Sequence, residues 1–399
     1  MANSLLNELT DYPFIRLRKL LDNIEPCKKY TPLVMSIGEP QMQPPAILQE
    51  ALSRYSDIWN KYPPMAGSEE LRYGIGEFLE FRYGLTGLNF DALKQIIPVN
   101  GSREGLFMAA MLCIDKAKSN KPVVLMPNPF YQVYHGASVM NGAKTYFCAA
   151  TSDNNFQPDF SELACDILEQ TQLAYICSPS NPQGALMGLE QMKNQLELAR
   201  KYNFTLVVDE CYSEIYRDGF KPAGGLDAAK ALGGSLDNLL IINSLSKRSS
   251  AAGLRSGFVA GDKKLIAQLL QLRNYGGAVL AGPIQGASTA LWQDQAHVAQ
   301  MRKAYNEKFA IAADILRDWP NFQLPQGGFF LWLPVGDDEK AARILWQDYG
   351  LRILPGSYLS RDIDGINPGK KYIRVALVHN NEQIHEGLTR LGYAMDAII

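Results

Sequence analysis

The stretch TLVVDECYSEIY, residues 205–216, decides the fold of this chain. An almost wholly apolar run leads into Asp209, and Tyr212 follows three positions later. A run this short and apolar suits a strand buried on both faces, and its carboxylate then stands at the strand's C-terminal end. Working outward, the same construction recurs on either side. LAYICSPSNPQG (173–184) runs into Asn181 and Pro182, and LLIINSLSK (239–247) runs into Ser244, Ser246 and Lys247. PVVLM (122–126) and GFVAG (257–261) read as further strands, while 103–118 and 189–203 carry helical periodicity. Strand and helix in alternation predict an α/β domain with a mostly parallel sheet and helices on both faces. From about residue 287 long helices precede GGFFLWLPV (327–335) and KYIRVALV (371–378), which predicts a smaller α+β domain. The expected division is 46–286 for the large domain, with 1–45 and 287–399 forming the small domain and its N-terminal arm.

Composition narrows the function classes. The 399 residues are 47% hydrophobic and carry a net charge of −2, which speaks against a nucleic-acid or membrane surface. The six cysteines (Cys27, Cys113, Cys148, Cys165, Cys177, Cys211) include no C-x-x-C pair, and the four histidines show no ligand spacing, so no metal site is expected. The opening MANSLLNELTDYPF has no basic segment, so a signal peptide is not expected, and no apolar run reaches membrane-spanning length. A cytoplasmic protein with reduced thiols follows as the expectation.

Open α/β sheets bind ligands at the C-terminal ends of their strands. Here three strand ends in succession offer an amide (Asn181), a carboxylate with a phenol (Asp209, Tyr212) and an amine (Lys247). A plain ion pair between Asp209 and Lys247 is one reading. A cofactor that needs both is the other. Pyridoxal 5′-phosphate has an aldehyde that requires a lysine, a ring nitrogen that requires an acid, and a phosphate that requires amides and a cation. Lys247 and Asp209 meet the first two needs, and Asn181 with Tyr212 can bond the ring hydroxyl. In VNGSREGLF (99–107), Gly101, Ser102 and Arg103 open a helix directly after a strand, and a helix N-terminus is an anion site. Ser244, Ser246 and Arg255 complete a candidate phosphate cradle, and Tyr131 in NPFYQVY (128–134) supplies an aromatic face for the ring. Taken singly, each residue has a plain structural role: Asp209 as a helix cap, Tyr212 as a core aromatic, Arg374 as the partner of a surface acid. Together they point to the cofactor. Arg72, on an amphipathic helix, reads as structural.

The motifs SIGEP (36–40), YPPMAGSEELR (62–72), SPSNPQG (178–184), VVDECYSEIY (207–216), SLSK (244–247) with Arg255, and YIRVA (372–376) resemble those of the fold-type-I, class I/II aminotransferases in order and spacing. The resemblance implies a large domain binding pyridoxal phosphate, built on a seven-stranded sheet, with a smaller domain beside it. It also implies a homodimer with active sites at the interface. Lys247 is implied as covalent anchor of the cofactor and as proton shuttle, Arg374 as the grip on the substrate α-carboxylate, and Gly38 as lining on the substrate side. Asn181 is implied to touch substrate as well as cofactor, and Tyr62 to reach the phosphate of the neighbouring subunit. Two departures stand out: Ser256 occupies a position usually apolar in the family, and Gln183 one where threonine is common. Both are expected to tune packing.

Within the family, PVNGSREGLF (98–107), MPNPFYQVYHGA (126–137) and GINPGKKYIRVALVH (365–379) are similar to bacterial N-succinyldiaminopimelate aminotransferases, which belong to lysine biosynthesis and use glutamate as donor. Such substrates carry a second carboxylate, and Arg103 is the candidate cation for it. Two alternatives use the same fold: an aminotransferase of aspartate or aromatic type, and a lyase acting on C–S bonds. A regulator with an aminotransferase-like sensor domain is disfavoured, because only some thirty residues precede SIGEP and the chain is not basic.

Overall fold

The apolar runs bury both of their faces. The computed structural model describes residues 2–399. In chain order its strands are β1 (Leu33–Val34), β2 (Ile96–Val99), β3 (Val123–Asn128), β4 (Lys144–Ala149), β5 (Thr171–Cys177), β6 (Thr205–Asp209), β7 (Leu239–Ser244), β8 (Gly257–Gly261), β9 (Phe330–Pro334), β10 (Leu351–Arg352), β11 (Leu354–Pro355) and β12 (Tyr372–Ala376). Seven of them form one sheet in the order β2-β8-β7-β6-β5-β3-β4. Alternation divides each central strand between two cores: Ala174, Ile176, Leu206, Val208 and Ile241 pack on one side, and Tyr175, Val207, Leu240 and Ile242 on the other. That double burial is why these strands read as unbroken apolar runs.

The sheet is mostly parallel, as expected for an α/β fold, and GFVAG is the exception. Strand β8 pairs antiparallel with β7 on one side and with β2 on the other. The connection between them, which holds the short helix Leu245–Arg248, folds back at the end of β7, so β8 returns along its neighbour in the opposite direction. The strand read before Gly101 is β2, whereas sequence patterning had not singled out the edge strand β4, whose residues are partly exposed.

A second cluster of strands is built from the two ends of the chain. Strands β11, β12 and β9 form an antiparallel three-stranded sheet, and β1 pairs in parallel with β10, Leu33 opposite Leu351. Around them Tyr305, Phe329, Trp332 and Leu388 join a third core. The helix Gly282–Gln293 runs through the expected boundary at residues 286 and 287. Its Trp292 packs against Phe78 and Phe258, with ring centroids 4.9 and 5.0 Å away, so this helix belongs to the core of the seven-stranded sheet throughout. Arg72 is structural: its Nε donates to the Ile96 carbonyl at 3.1 Å, and its Nη2 donates to that of Leu93. Among the described residues no helix is long and apolar enough to cross a membrane, and no group of three or more metal-ligating side chains occurs.

Candidate active site

Parallel strands β5, β6 and β7 end side by side, which brings Asn181, Asp209 and Lys247 to one mouth of the sheet. Their side chains line a cavity of about 210 Å³, and Arg374 from β12 closes its other side.

Asp209, 4% exposed, is the last residue of β6. Its Oδ2 accepts from the phenol of Tyr134 at 2.7 Å and its Oδ1 from the backbone N–H of Cys211 at 3.2 Å. Burial raises the pKa of this carboxyl above the ordinary aspartate value, and the hydrogen bonds from Cys211 and Tyr134 pull it back. Asn181 bridges two neighbours. Its Nδ2 donates to the Tyr212 hydroxyl at 3.4 Å, and its Oδ1 accepts from Arg374 Nη1 at 3.1 Å. Burial drives the Tyr212 phenol well above its usual range, so it stays protonated.

Arg374 donates from Nη2 to the Ser36 carbonyl at 2.8 Å and lies 4.1 Å over the ring of Phe330. Its buried Nε has no partner. Burial lowers its pKa to about 10, which leaves the guanidinium charged at neutral pH. Lys247 sits in the short helix Leu245–Arg248 that follows β7, and its ammonium donates to the carbonyl of Gly38. Burial pushes this amine down to about 8, close to the point where it is available as a base.

On the other flank Ser102 opens the helix Ser102–Cys113. Gly101 precedes it at φ 80°, and any Cβ there would run into the guanidinium of Arg255. Arg255, itself at φ 55°, donates to the carbonyls of Ala252 at 2.8 Å and Asn100 at 3.3 Å. Ser244 is fully buried; its hydroxyl donates to the Ser256 carbonyl at 3.1 Å and accepts from the Ser246 N–H at 3.1 Å. A Cβ on Gly257 would meet the Ser102 nitrogen at 3.3 Å, so the turn after Arg255 and the helix start lie against each other.

Of the residues read from the sequence, Gly38, Ser102, Arg103, Tyr131, Asn181, Asp209, Tyr212, Lys247 and Arg374 line this one cavity together. Gly101, Ser244, Ser246 and Arg255 stand beside it and do not line it. Arg103 Nε donates to the Tyr131 hydroxyl at 3.1 Å, and burial raises the Tyr131 phenol to about 12. Tyr62 joins none of these residues within the chain and is fully exposed. Ser256 has its hydroxyl bonded by Ser288 at 2.8 Å, which shows how a polar residue is accommodated at this buried position. Gln183 donates to the Ala150 carbonyl at 3.4 Å.

Sequence reasoning missed several residues at the site. Tyr134, the last residue of NPFYQVY, was not singled out; its spacing of three from Tyr131 was the one cue. Tyr12 and Phe14 of the N-terminal arm and Phe330 of β9 also line the cavity, and nothing local in sequence marks them.

The chain matches the family model for aminotransferase class I and II over residues 31–391. An LL-diaminopimelate aminotransferase of Dehalococcoides mccartyi is 30% identical over 395 residues, 97% of each chain. Among solved structures, an aminotransferase from Neisseria meningitidis superposes with a TM-score of 0.94 at 39% identity, covering 99% of this chain and 100% of that one. The aminotransferase AspB from Helicobacter pylori gives 0.89 at 36% identity, covering 97% and 99%.

Proposed function

Since the chain belongs to the class I and II aminotransferases, it is a transaminase, and we propose that it uses pyridoxal 5′-phosphate to pass the amino group of glutamate to N-succinyl-2-amino-6-oxopimelate. The observation that carries the proposal is the meeting of an amine, a buried carboxylate, a phenol–amide pair and a guanidinium in one cavity. The donor set fits the cofactor. Lys247 reaches its aldehyde end, Asp209 suits the ring nitrogen, Asn181 and Tyr212 suit the ring hydroxyl, and Tyr131 suits the ring face. Gly101, Ser102, Ser244, Ser246 and Arg255 suit the phosphate, and the φ of 80° that brings the turn against the Arg255 guanidinium favours glycine at 101.

When bound, the cofactor supplies an electron sink for the charge left at the substrate α-carbon. The chain does the rest. Asp209, fixed by Tyr134 and Cys211, keeps a negative charge facing the ring nitrogen and so holds a proton there. Arg374 binds the α-carboxylate and orients the α-C–H bond toward Lys247. Lys247 Nζ, lowered to about 8 by burial, would accept that proton and hold it for return in the same cavity. In the second half of the cycle the same groups act in reverse on the oxo acid. Phe330 and the bare backbone of Gly38 shape the substrate side.

Arg103 lines the same cavity as Arg374, which supports a substrate with carboxylates at both ends. Full exposure of Tyr62, with Trp59 also exposed, supports a homodimer in which Tyr62 reaches the partner's phosphate site. The name of the Dehalococcoides relative favours a second reading, with LL-diaminopimelate itself as the amino compound. The visible absorption of the holoenzyme distinguishes them. Bleaching by glutamate and by N-succinyl-LL-diaminopimelate, but not by LL-diaminopimelate, supports the first reading. The converse supports the second, and bleaching by glutamate alone leaves a transaminase with another acceptor.

A further inference from the structure

Gln132 lines the active-site cavity and has no part in the chemistry described so far. It opens the helix Gln132–Met140 directly after Tyr131, and it is half-buried. Its amide nitrogen is buried and has no acceptor. A buried donor left unmatched is unfavourable, and the deficit disappears when a ligand brings the acceptor. The terminal torsion of a glutamine is broad, so the amide can turn its donor or its carbonyl to the cavity. Arg103 donates to the hydroxyl of Tyr131 at 3.1 Å, so Arg103 and Gln132 flank one tyrosine.

The charges in the cavity narrow what the ligand brings. Arg103, Lys247 and Arg374 line it as cations, and among the described residues Asp209 is the one acid that does. Asp209 is already engaged by Tyr134 and by the backbone N–H of Cys211. A substrate with a free ammonium at its far end would meet like charge there and no carboxylate to pair with it. Acylation of that nitrogen removes the charge and leaves an N–H beside a C=O. These two groups complement the acceptor and the donor of a glutamine.

We propose that Gln132 is a specificity-determining residue: it pairs with the acyl-amide group of the substrate, beside the far carboxylate held by Arg103, and so favours an acylated diamino acid over one with a free ammonium. This inference rests on the acylated-substrate reading given above. The test compares wild-type holoenzyme with two variants and follows single-turnover bleaching by glutamate, N-succinyl-LL-diaminopimelate and LL-diaminopimelate across concentration. Glutamate has no amide and serves as the reference. For Gln132→Leu, the second-order rate constant for the succinylated compound relative to that for glutamate is expected to fall about tenfold, through weaker binding and not through the limiting rate. Gln132→Glu is expected to move preference from the succinylated compound toward LL-diaminopimelate, because a carboxylate there attracts the ammonium. A ratio unchanged by Gln132→Leu, or a preference unmoved by Gln132→Glu, overturns the proposal. An equal loss on all three compounds marks a structural role and overturns it too. Failure of the underlying reading shows in the wild type itself, as bleaching by glutamate and none by the succinylated compound, and the proposal falls with it.

Discussion

The phenol of Tyr134 holds Asp209 from 75 positions away in sequence, at 2.7 Å, with no water needed between them. Tyr134 in turn lies flat on Tyr175, centroids 4.6 Å apart and planes at 7°, so its hydroxyl is aimed by packing. Tyr134→Phe keeps the stacking and removes only the donor. An unmatched buried acceptor costs about 1–3 kcal/mol. The expected outcome is a holoenzyme that loses its cofactor more readily, measured as a raised dissociation constant in dialysis titrations, with turnover lowered and Tm little changed.

Arg374 meets Asn181, Ser36 and the face of Phe330 at once, which a lysine cannot reproduce. Arg374→Lys should therefore weaken binding of both amino donor and oxo acid by about 1.5–3 kcal/mol, seen as higher KM for each. Arg374→Ala should lose about 2–5 kcal/mol in kcat/KM. Equal KM values in wild type and variants would remove Arg374 from substrate binding.

For Arg103 the prediction turns on the substrate. Arg103→Ala should lower kcat/KM for a substrate with a distal carboxylate by about 2–5 kcal/mol and leave an uncharged amino acid nearly unaffected. The same loss on both would assign Arg103 to the cofactor, through the backbone turn that it shares with Ser102.

Lys247 gives two pH effects. Its amine titrates near 8 where an ordinary lysine titrates at 10.5, and attack on an aldehyde needs the neutral form. The rate of cofactor uptake by the cofactor-free protein should climb as pH rises through about 8 and level off above. Stability follows the opposite proton: the folded state binds fewer protons than the unfolded chain between about 8 and 10.5, so the penalty is full below about 8 and fades as pH approaches 10.5. The cofactor-free Lys247→Met variant should accordingly melt above wild type at neutral pH, with the gap closing at high pH.

Much of this site was legible because its polar residues interrupt apolar strands. Asp209, Asn181 and Lys247 each follow a run that only a doubly buried strand explains, and their shared sheet edge follows from parallel order. The antiparallel course of β8 was not legible, since periodicity reports burial and not direction. Tyr134, Tyr12 and Phe330 were hidden for a related reason: their spacing is that of ordinary core or cap residues, and only the folding of distant segments brings them to the cavity.

The pairing of Leu33 with Leu351 sets an order of events during synthesis. Strand β1 can find its partner only after nearly nine-tenths of the chain has been made, and Ser36 and Gly38, which receive Arg374 and Lys247, follow directly from it. A nascent chain halted after β8 would already own its lysine, its aspartate and the Ser36 and Gly38 carbonyls, yet lack Arg374 and the strand β10 that fixes those carbonyls in place. Assembly of the seven-stranded sheet and acquisition of a working site are thus separate moments, and the last stretch translated controls the second.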